Sequence, residues 1–440
     1  MSADAPVTVE YLNTLKRFGE KAGLARIRFL LERLGQPQAA YPAVHVAGTN
    51  GKGSTAAMIA AILQAAGYRT GLFTSPHLVR YNERIQVNGA PIGDRDLEEL
   101  LARLKAEAEK AAADPGIGQP TEFEVGTAAA FAYFAQARVD VAVIEVGLGG
   151  RLDATNAIAP LVSVITPVGL DHTRVLGTTL PEIALEKAGI IKPRVPVVCA
   201  RQPAEARDVI AARAGELGCP LLLFGRDYDS RLEGAGPGGT RFSVRWGDTW
   251  VEDLKVPLLG AHQADNAAVA VAAVRAAGER LGVSEDAVRR GLAAVRWPGR
   301  MELVPGQPAL LLDGAHNAEG ARVLAEGLQA VFPGQRPVFV VGMLAEKPVD
   351  AVLRTLLPLG RAAVFTAPRF GRGQPVDPPE LARRAQGLVP QAAAEPGPAE
   401  ALALAREWAG AGGLVCVTGS LYLVGEVKGL LAGEPRAARE

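Results

Sequence analysis

The stretch HVAGTNGKGS, residues 45–54, decides how the rest of the chain is read. Before it, AVHV (43–46) is a short β-branched strand; after it, STAAMIAAILQAAG (54–67) reads as an alanine-rich helix, with GTNGKG as the turn between them. A strand, a glycine loop and a helix N-terminus together make an anion cradle. Glycines let backbone N–H groups converge, the first helical turn carries N–H groups without helical partners, and Lys52 adds a full positive charge. The guest expected there is a nucleoside triphosphate. Gly48 and Gly51 stand closer together than in G-x-x-x-x-G-K-[ST], and the hydroxyl, Ser54, comes one residue late. Lys52 is expected in a solvent-facing loop.

At 440 residues the chain is long enough for two domains, each with its own core. Its 47 basic residues balance 47 acidic ones, so no global field favours nucleic acid or an anionic membrane, and any polyanion is held locally. The opening MSADAPVTVEYL has neither a basic n-region nor an apolar core, and no run of about 18 apolar residues follows, so a cytoplasmic location is expected. Cys199, Cys219 and Cys416 are scattered and odd in number, which disfavours a disulfide framework or a thiolate metal site.

Strands alternate with helices along most of the chain. Residues 9–35 read as helical, followed by the strand 43–46, the loop and its helix, a strand at 71–75, helices at 94–113 and 123–137, and the strand VDVAVIEV (139–146). Further strands follow at 161–166, 195–200 and 220–225. This pattern predicts an α/β fold with a doubly wound, mostly parallel sheet. Residues 226–257 switch to short alternating stretches that suggest an antiparallel ribbon, and helices near 262–280 and 284–294 close the unit. WPGR (297–300) breaks the pattern and is the best linker candidate. Beyond it ALLLDG, PVFVVG, AAVFTA and LVCVTG restart the alternation as a smaller, Rossmann-like α/β domain, giving units at 1–297 and 298–440. No G-x-G-x-x-G follows any of these strands, so this topology need not mean a dinucleotide ligand.

Magnesium is expected near a triphosphate, held by oxygen ligands at strand ends on the same sheet edge. Glu145 ends the apolar strand and leads into GLGGRLDATN, so its carboxylate reads as a metal ligand or a strand-end salt bridge. His172 follows the strand ending at Thr166, and Ser75 in SPHL lies just beyond the second strand. Taken alone, either is an ordinary structural residue. Lys187, in LEKAGIIKP, is solvent-exposed by default; only burial would make its amine neutral and reactive.

Together GTNGKGS, TSPHL with NERI, TEFEVGTAAAF, EVGLGGRLDATN, LDHT, EKAGIIKP, GAHQADNAA, WPGR, LDGAHN and TGSLYL resemble, in order, the folylpolyglutamate synthase and dihydrofolate synthase family, a branch of the Mur ligases. The resemblance covers about residues 10–432. It implies that Thr49, Asn50, Gly51 and Lys52, with Gly53 and Ser54 beside them, hold the ATP phosphates, and that Asn266, Arg300 and Asp313 complete the nucleotide site between the domains. It implies magnesium, as two ions, on Ser75, Glu145 and His172. Thr121, Glu122, Phe123 and Glu124, with Leu152, Asp153 and Ala154, match pterin-binding positions, and Lys187 matches a lysine that can be carbamylated (N6-carboxylated). His316 and Ser420 are candidates for contacting the incoming L-glutamate, and His316 for the base that accepts its amine proton.

The implied reaction is ATP-dependent ligation of glutamate to dihydropteroate or to reduced folates, by a monomer without nucleic-acid or membrane partners. GGRLDATN resembles bifunctional members of the family; folylpolyglutamate synthase alone is the alternative. TEFEVGT, and the phosphate loop starting already at residue 48, argue against a peptidoglycan-type Mur ligase. The absence of N-K-x-D and D-x-x-G argues against a guanine-nucleotide switch.

Overall fold

The computed structural model describes residues 9–16, 23–369 and 373–433. Among them the strands form three sheets. The first has eight strands: β1 (Ala43–Ala47), β2 (Thr70–Phe73), β3 (Ile85–Val87), β4 (Ala90–Pro91), β5 (Val141–Glu145), β6 (Val162–Ile165), β7 (Val197–Cys199) and β8 (Leu221–Leu223), in the order β4-β3-β2-β5-β1-β6-β7-β8. β1 pairs in parallel with β5 and β6, with Val46 opposite both Glu145 and Val164. The chain leaves β1 toward β2 on one side, yet passes from β5 across β1 to β6 on the other. Open α/β sheets bind ligands beyond the carboxyl ends of strands at such a reversal.

The helix after β1 runs Lys52–Ala65, starting two residues earlier than expected. Nine of its 14 residues are buried, so it lacks a polar face and lies inside the unit, against the helices His262–Ala276 and Glu285–Ala294. Truncating Met58, fully buried in this packing, would cost about 2–5 kcal/mol. A three-stranded antiparallel ribbon, β9 (Tyr228–Gly236), β10 (Gly239–Trp246) and β11 (Thr249–Val256), extends the same core.

Beyond the ribbon, β12 (Glu302–Val304), β13 (Ala309–Leu312), β14 (Val338–Val341), β15 (Ala362–Phe365), β16 (Ala392–Ala394) and β17 (Leu414–Thr418) form a sheet of order β12-β13-β17-β14-β15-β16. Only β12 is antiparallel to its neighbour. Adjacent β13, β17 and β14 end side by side, with Leu312 opposite Val417 and Val341 opposite Thr418. Two hydrophobic clusters cover the two faces of this sheet.

One local expectation differs from the structure, and three elements went unread in the sequence. The helical opening at 9–35 resolves into Val9–Thr14 and Ala25–Arg33, and residues 17–22 of it lie outside the described residues. β12 and β16 are three residues each, and β16 is all alanine, which carries no strand preference. The helix Ala204–Glu216 buries Ala206, Ile210 and Ala214 at a helical spacing, but two alanines make a faint apolar stripe.

Candidate active site between the two large sheets

The glycine loop is strapped to the segment after β6. Thr49 and Asn50 N–H donate to the Pro167 carbonyl at 2.9 and 3.3 Å, and the Thr49 hydroxyl donates to Gly169 O and accepts from Gly169 N–H, each at 3.0 Å. Those two backbone N–H groups are therefore occupied. The helix's first bond runs from Thr55 N–H to Gly51 O at 2.9 Å, so the N–H groups of Lys52, Gly53 and Ser54 lie ahead of it, as an anion site needs. Gly51 turns at φ 81°, and the Asn266 amide oxygen sits 2.6 Å from where a Cβ would be, so only glycine fits. The Trp297 ring covers Gly53 as closely. Lys52 opens the helix and is partly buried, correcting the solvent-facing expectation. Its Nζ donates to Thr49 O at 3.2 Å; burial lowers its pKa, with Glu145 and Asp171 acting in the opposite sense.

Glu145 is buried at the end of β5, beside β1, and its Oε2 accepts the Ser75 N–H at 3.2 Å. Burial raises its pKa, and Lys52 pulls it back. His172 adopts φ 51°, and burial drops its pKa to about 4, leaving a neutral imidazole with a lone pair for a metal. Among the described residues no group of three or more His, Cys, Asp or Glu side chains could hold an ion. One carboxylate, one hydroxyl and one neutral imidazole make a sparse set. Such a set suits magnesium, which keeps waters and takes further oxygens from phosphates.

Lys187 is buried on the helix Leu180–Ala188, against the exposed default. Its Nζ donates to Gly48 O at 2.7 Å, and burial, helped by the Lys52 charge, lowers its pKa to about 7. A large fraction of its amine is therefore neutral near neutral pH.

A cavity of about 750 Å³ lies between the strand ends of the two large sheets. Thr121, Phe123, Glu124, Leu152, Asp153 and Ala154 line its first wall. Thr121 caps the helix Glu122–Gln136, while the Glu124 carboxylate takes the Thr121 N–H at 2.7 Å and Arg26 at 2.9 Å. Asp153 accepts N–H bonds from Leu148 and Thr155 at 2.9 and 3.0 Å, which fixes the loop after β5. Glu122 differs from the pterin-binding expectation: it is 1% exposed, pairs with Arg84 at 3.3 Å and does not line the cavity. It buttresses the wall from behind.

The second wall brings His316, Lys347 and Ser420 from beyond β13, β14 and β17. His316 Nδ1–H donates to Gly314 O at 2.7 Å, turning Nε2 toward Asp171 Oδ2 at 3.5 Å. Asn266, Arg300 and Asp313 stand outside the cavity lining. Asp313 accepts the N–H groups of Met301 and Ala315, both at 2.8 Å; burial raises its pKa and Arg300 opposes the rise. Asp171, Lys347, Arg26 and Arg84 were not singled out by sequence reasoning. Asp171 lies inside LDHT, and Lys347 follows a strand end, the position that marks ligand contacts in α/β sheets.

The Mur ligase middle domain family matches residues 46–274, and the Mur ligase glutamate ligase domain matches residues 299–421. The dihydrofolate synthase/folylpolyglutamate synthase of Bacillus subtilis (strain 168) is 40% identical over 419 residues, spanning 94% of this chain and 95% of its own. The chain belongs to the folylpolyglutamate synthase/dihydrofolate synthase family of Mur ligases. Solved members of the family share the whole architecture. A Mycobacterium tuberculosis folylpolyglutamate synthase complexed with ADP matches with a TM-score of 0.89 at 35% identity, covering 97% of this chain and 98% of that one. Escherichia coli FolC in complex with DHPP and ADP matches with a TM-score of 0.87 at 33% identity, covering 98% and 99%.

Proposed function

We propose that this chain is an ATP-dependent amide ligase that adds L-glutamate first to dihydropteroate and then to reduced folates. The carrying observation is the cavity, with acceptor-type residues on one wall and His316 and Ser420 on the other, and with the phosphate loop tied to the second wall by the bond from Asn317 Nδ2 to Asn50 Oδ1 at 3.3 Å. The phosphate loop and residues 1–297 form the nucleotide-binding unit, and residues 298–440 the glutamate-ligase unit, of an enzyme working as a cytoplasmic monomer.

A carboxylate resists amines because it is anionic and would have to expel oxide. Transfer of the γ-phosphoryl group of ATP to that carboxylate gives an acyl phosphate and ADP. Lys52 and the N–H groups of Lys52, Gly53 and Ser54 then stabilise charge on the moving phosphoryl group. Asn266, Arg300 and Asp313 hold the rest of the nucleotide. Phe123, Leu152 and Ala154 offer apolar surface to the pterin, while Thr121, Glu124 and Asp153 orient its polar edge. On the opposite wall Ser420 and His316 orient glutamate, and His316 is the candidate to take a proton from its amine, whose pKa of about 8 or above keeps it charged otherwise. The neutral amine attacks the acyl carbon, and inorganic phosphate leaves. Magnesium, held by Ser75, Glu145 and His172, would neutralise phosphate charge when bound. A carbamylated Lys187 would supply a further anion beside it.

Purified protein given dihydropteroate, labelled glutamate, ATP and magnesium should yield dihydrofolate and ADP. Failure there, with robust extension of tetrahydrofolate, leaves folylpolyglutamate synthase activity alone. Failure with both acceptors overturns the assignment.

A further inference from the structure

Ser75, beside Glu145, begins a loop that leaves the first sheet and enters the second unit's core. Three residues on, Leu78 is 7% exposed and belongs to the hydrophobic cluster of Leu310, Leu312, Val340 and Val424, all from the second unit. Its methyl groups lie 3.1 and 3.2 Å from where a Cβ on Gly299 would stand, in a position that also contacts Val424. Its carbonyl oxygen lies 2.0 Å from the Cβ position of Gly425, on the helix Leu421–Ala432, so helix and loop touch backbone to backbone.

The loop has little slack. The Glu83 carboxylate gathers the N–H groups of Leu78, Val79 and Arg80 at 2.8, 2.9 and 2.8 Å. Arg84 Nε donates to His77 Nδ1 at 2.9 Å. Only Pro76 and His77 separate Ser75 from Leu78, a tether of three steps or about 10 Å at full extension. A shift of the second unit by a few ångströms must therefore pull on Ser75, because the core that grips Leu78 is close-packed and moves as a body.

We infer that Leu78 is a positioning residue: seated between Gly299, Val424 and Gly425, it holds Ser75 against Glu145, so that metal affinity depends on how the second unit is docked. The coupling rests on Ser75 and Glu145 being metal ligands, as proposed above. Gly425 serves the same contact from the other side, since any side chain there drives the Leu78 carbonyl away.

The test uses manganese as the probe ion. Its binding to the full chain with AMPPCP is followed by electron paramagnetic resonance of free Mn²⁺, with thermal unfolding as the check on folding. Leu78→Ala and Gly425→Ala should each weaken Mn²⁺ binding about tenfold or more, and Leu78→Met, which keeps the apolar volume, should stay within about threefold of wild type. Leu423→Ala opens a cavity in the same cluster at a side chain that packs toward Gly342; it should lower the melting temperature and leave Mn²⁺ affinity unchanged. Ser75→Ala separates the two layers. If it weakens Mn²⁺ binding while folded Leu78→Ala and Gly425→Ala do not, the tether is refuted and the metal site stands. If Ser75→Ala has no effect, the metal role of Ser75 falls and the tether with it. Equal weakening by Leu423→Ala would overturn the proposal in favour of general loosening.

Discussion

The Asp171 carboxylate and the Lys347 ammonium meet at 2.7 Å across the cleft, each side chain about one-tenth exposed. Asp171 comes from the segment after β6 and Lys347 from beyond β14, so the pair joins the two large sheets. Asn317 Nδ2 adds a 3.2 Å bond to the same carboxylate. Burial alone would raise the Asp171 pKa, yet His316, Lys347 and His172 hold it well below the usual carboxylate range. A double-mutant cycle of Asp171→Asn and Lys347→Met, read on turnover, should return a coupling of about 1–3 kcal/mol. The coupling should persist in added salt, because the pair is shielded from solvent. A cycle that closes to zero would mean that the pair does not help to hold the sheets together during the reaction.

Lys52→Ala should reduce turnover by at least about a hundredfold, the scale expected for a preorganised charge facing a transferring group. Among the described residues its Nζ hydrogen-bonds the loop's own Thr49 carbonyl alone. The melting temperature should therefore stay near wild type. Phosphate release together with calorimetry checks both halves, and near-normal turnover would remove Lys52 from the phosphoryl site.

Glu145→Gln keeps the shape of a buried side chain but removes the charge that a hard cation requires. The variant should need roughly tenfold or more magnesium for half-maximal rate. A magnesium dependence matching wild type would return Glu145 to a structural partner of the Ser75 N–H.

Lys187 should be carbamylated in the active enzyme. Carbon dioxide reacts with the neutral amine, and with a folded pKa of about 7 that form is scarce below pH 6 and dominant above pH 8. At fixed dissolved CO₂, carbon-13 NMR with labelled bicarbonate should show a carbamate signal that grows through pH 7 and is absent from Lys187→Met. The same shift has a stability consequence. Between pH 7 and about 10.5 the unfolded lysine keeps a proton that the folded one has lost, so this group makes folding more favourable as pH rises through that window. A carbamate signal that does not change across pH 6–8 would contradict the shifted amine.

Most of the fold was legible because its signals are local. The β-branched runs of β1, β5 and β14 and the Gly48–Ser54 turn each announce themselves within a few residues. Part of the cleft's edge was legible for the same reason, since Glu145 ends a strand and Ser75 and Ser420 stand two residues beyond one; His172 lies seven residues past the end of β6 and carried a weaker signal. What remained hidden depends on how the two large sheets face each other. Nothing near Leu78 says that its side chain lies in another unit's core, and nothing near Lys347 names Asp171 as its partner. Lys187 looked exposed because a lysine on a short helix usually is; its burial comes from Gly48, 139 residues away. Glu122 and Glu124 look alike in TEFE, yet one backs the wall through Arg84 and the other faces the cavity beside Arg26.

The cavity has two walls that belong to separately packed sheets. Natural variation can therefore reshape one wall without repacking the core behind the other. With the acceptor on one wall and the amino acid on the other, as proposed, taste for each becomes a separately heritable trait. A chimera that exchanges residues 298–440 between two relatives would inherit the first from one parent and the second from the other, provided that Leu78 still finds its seat.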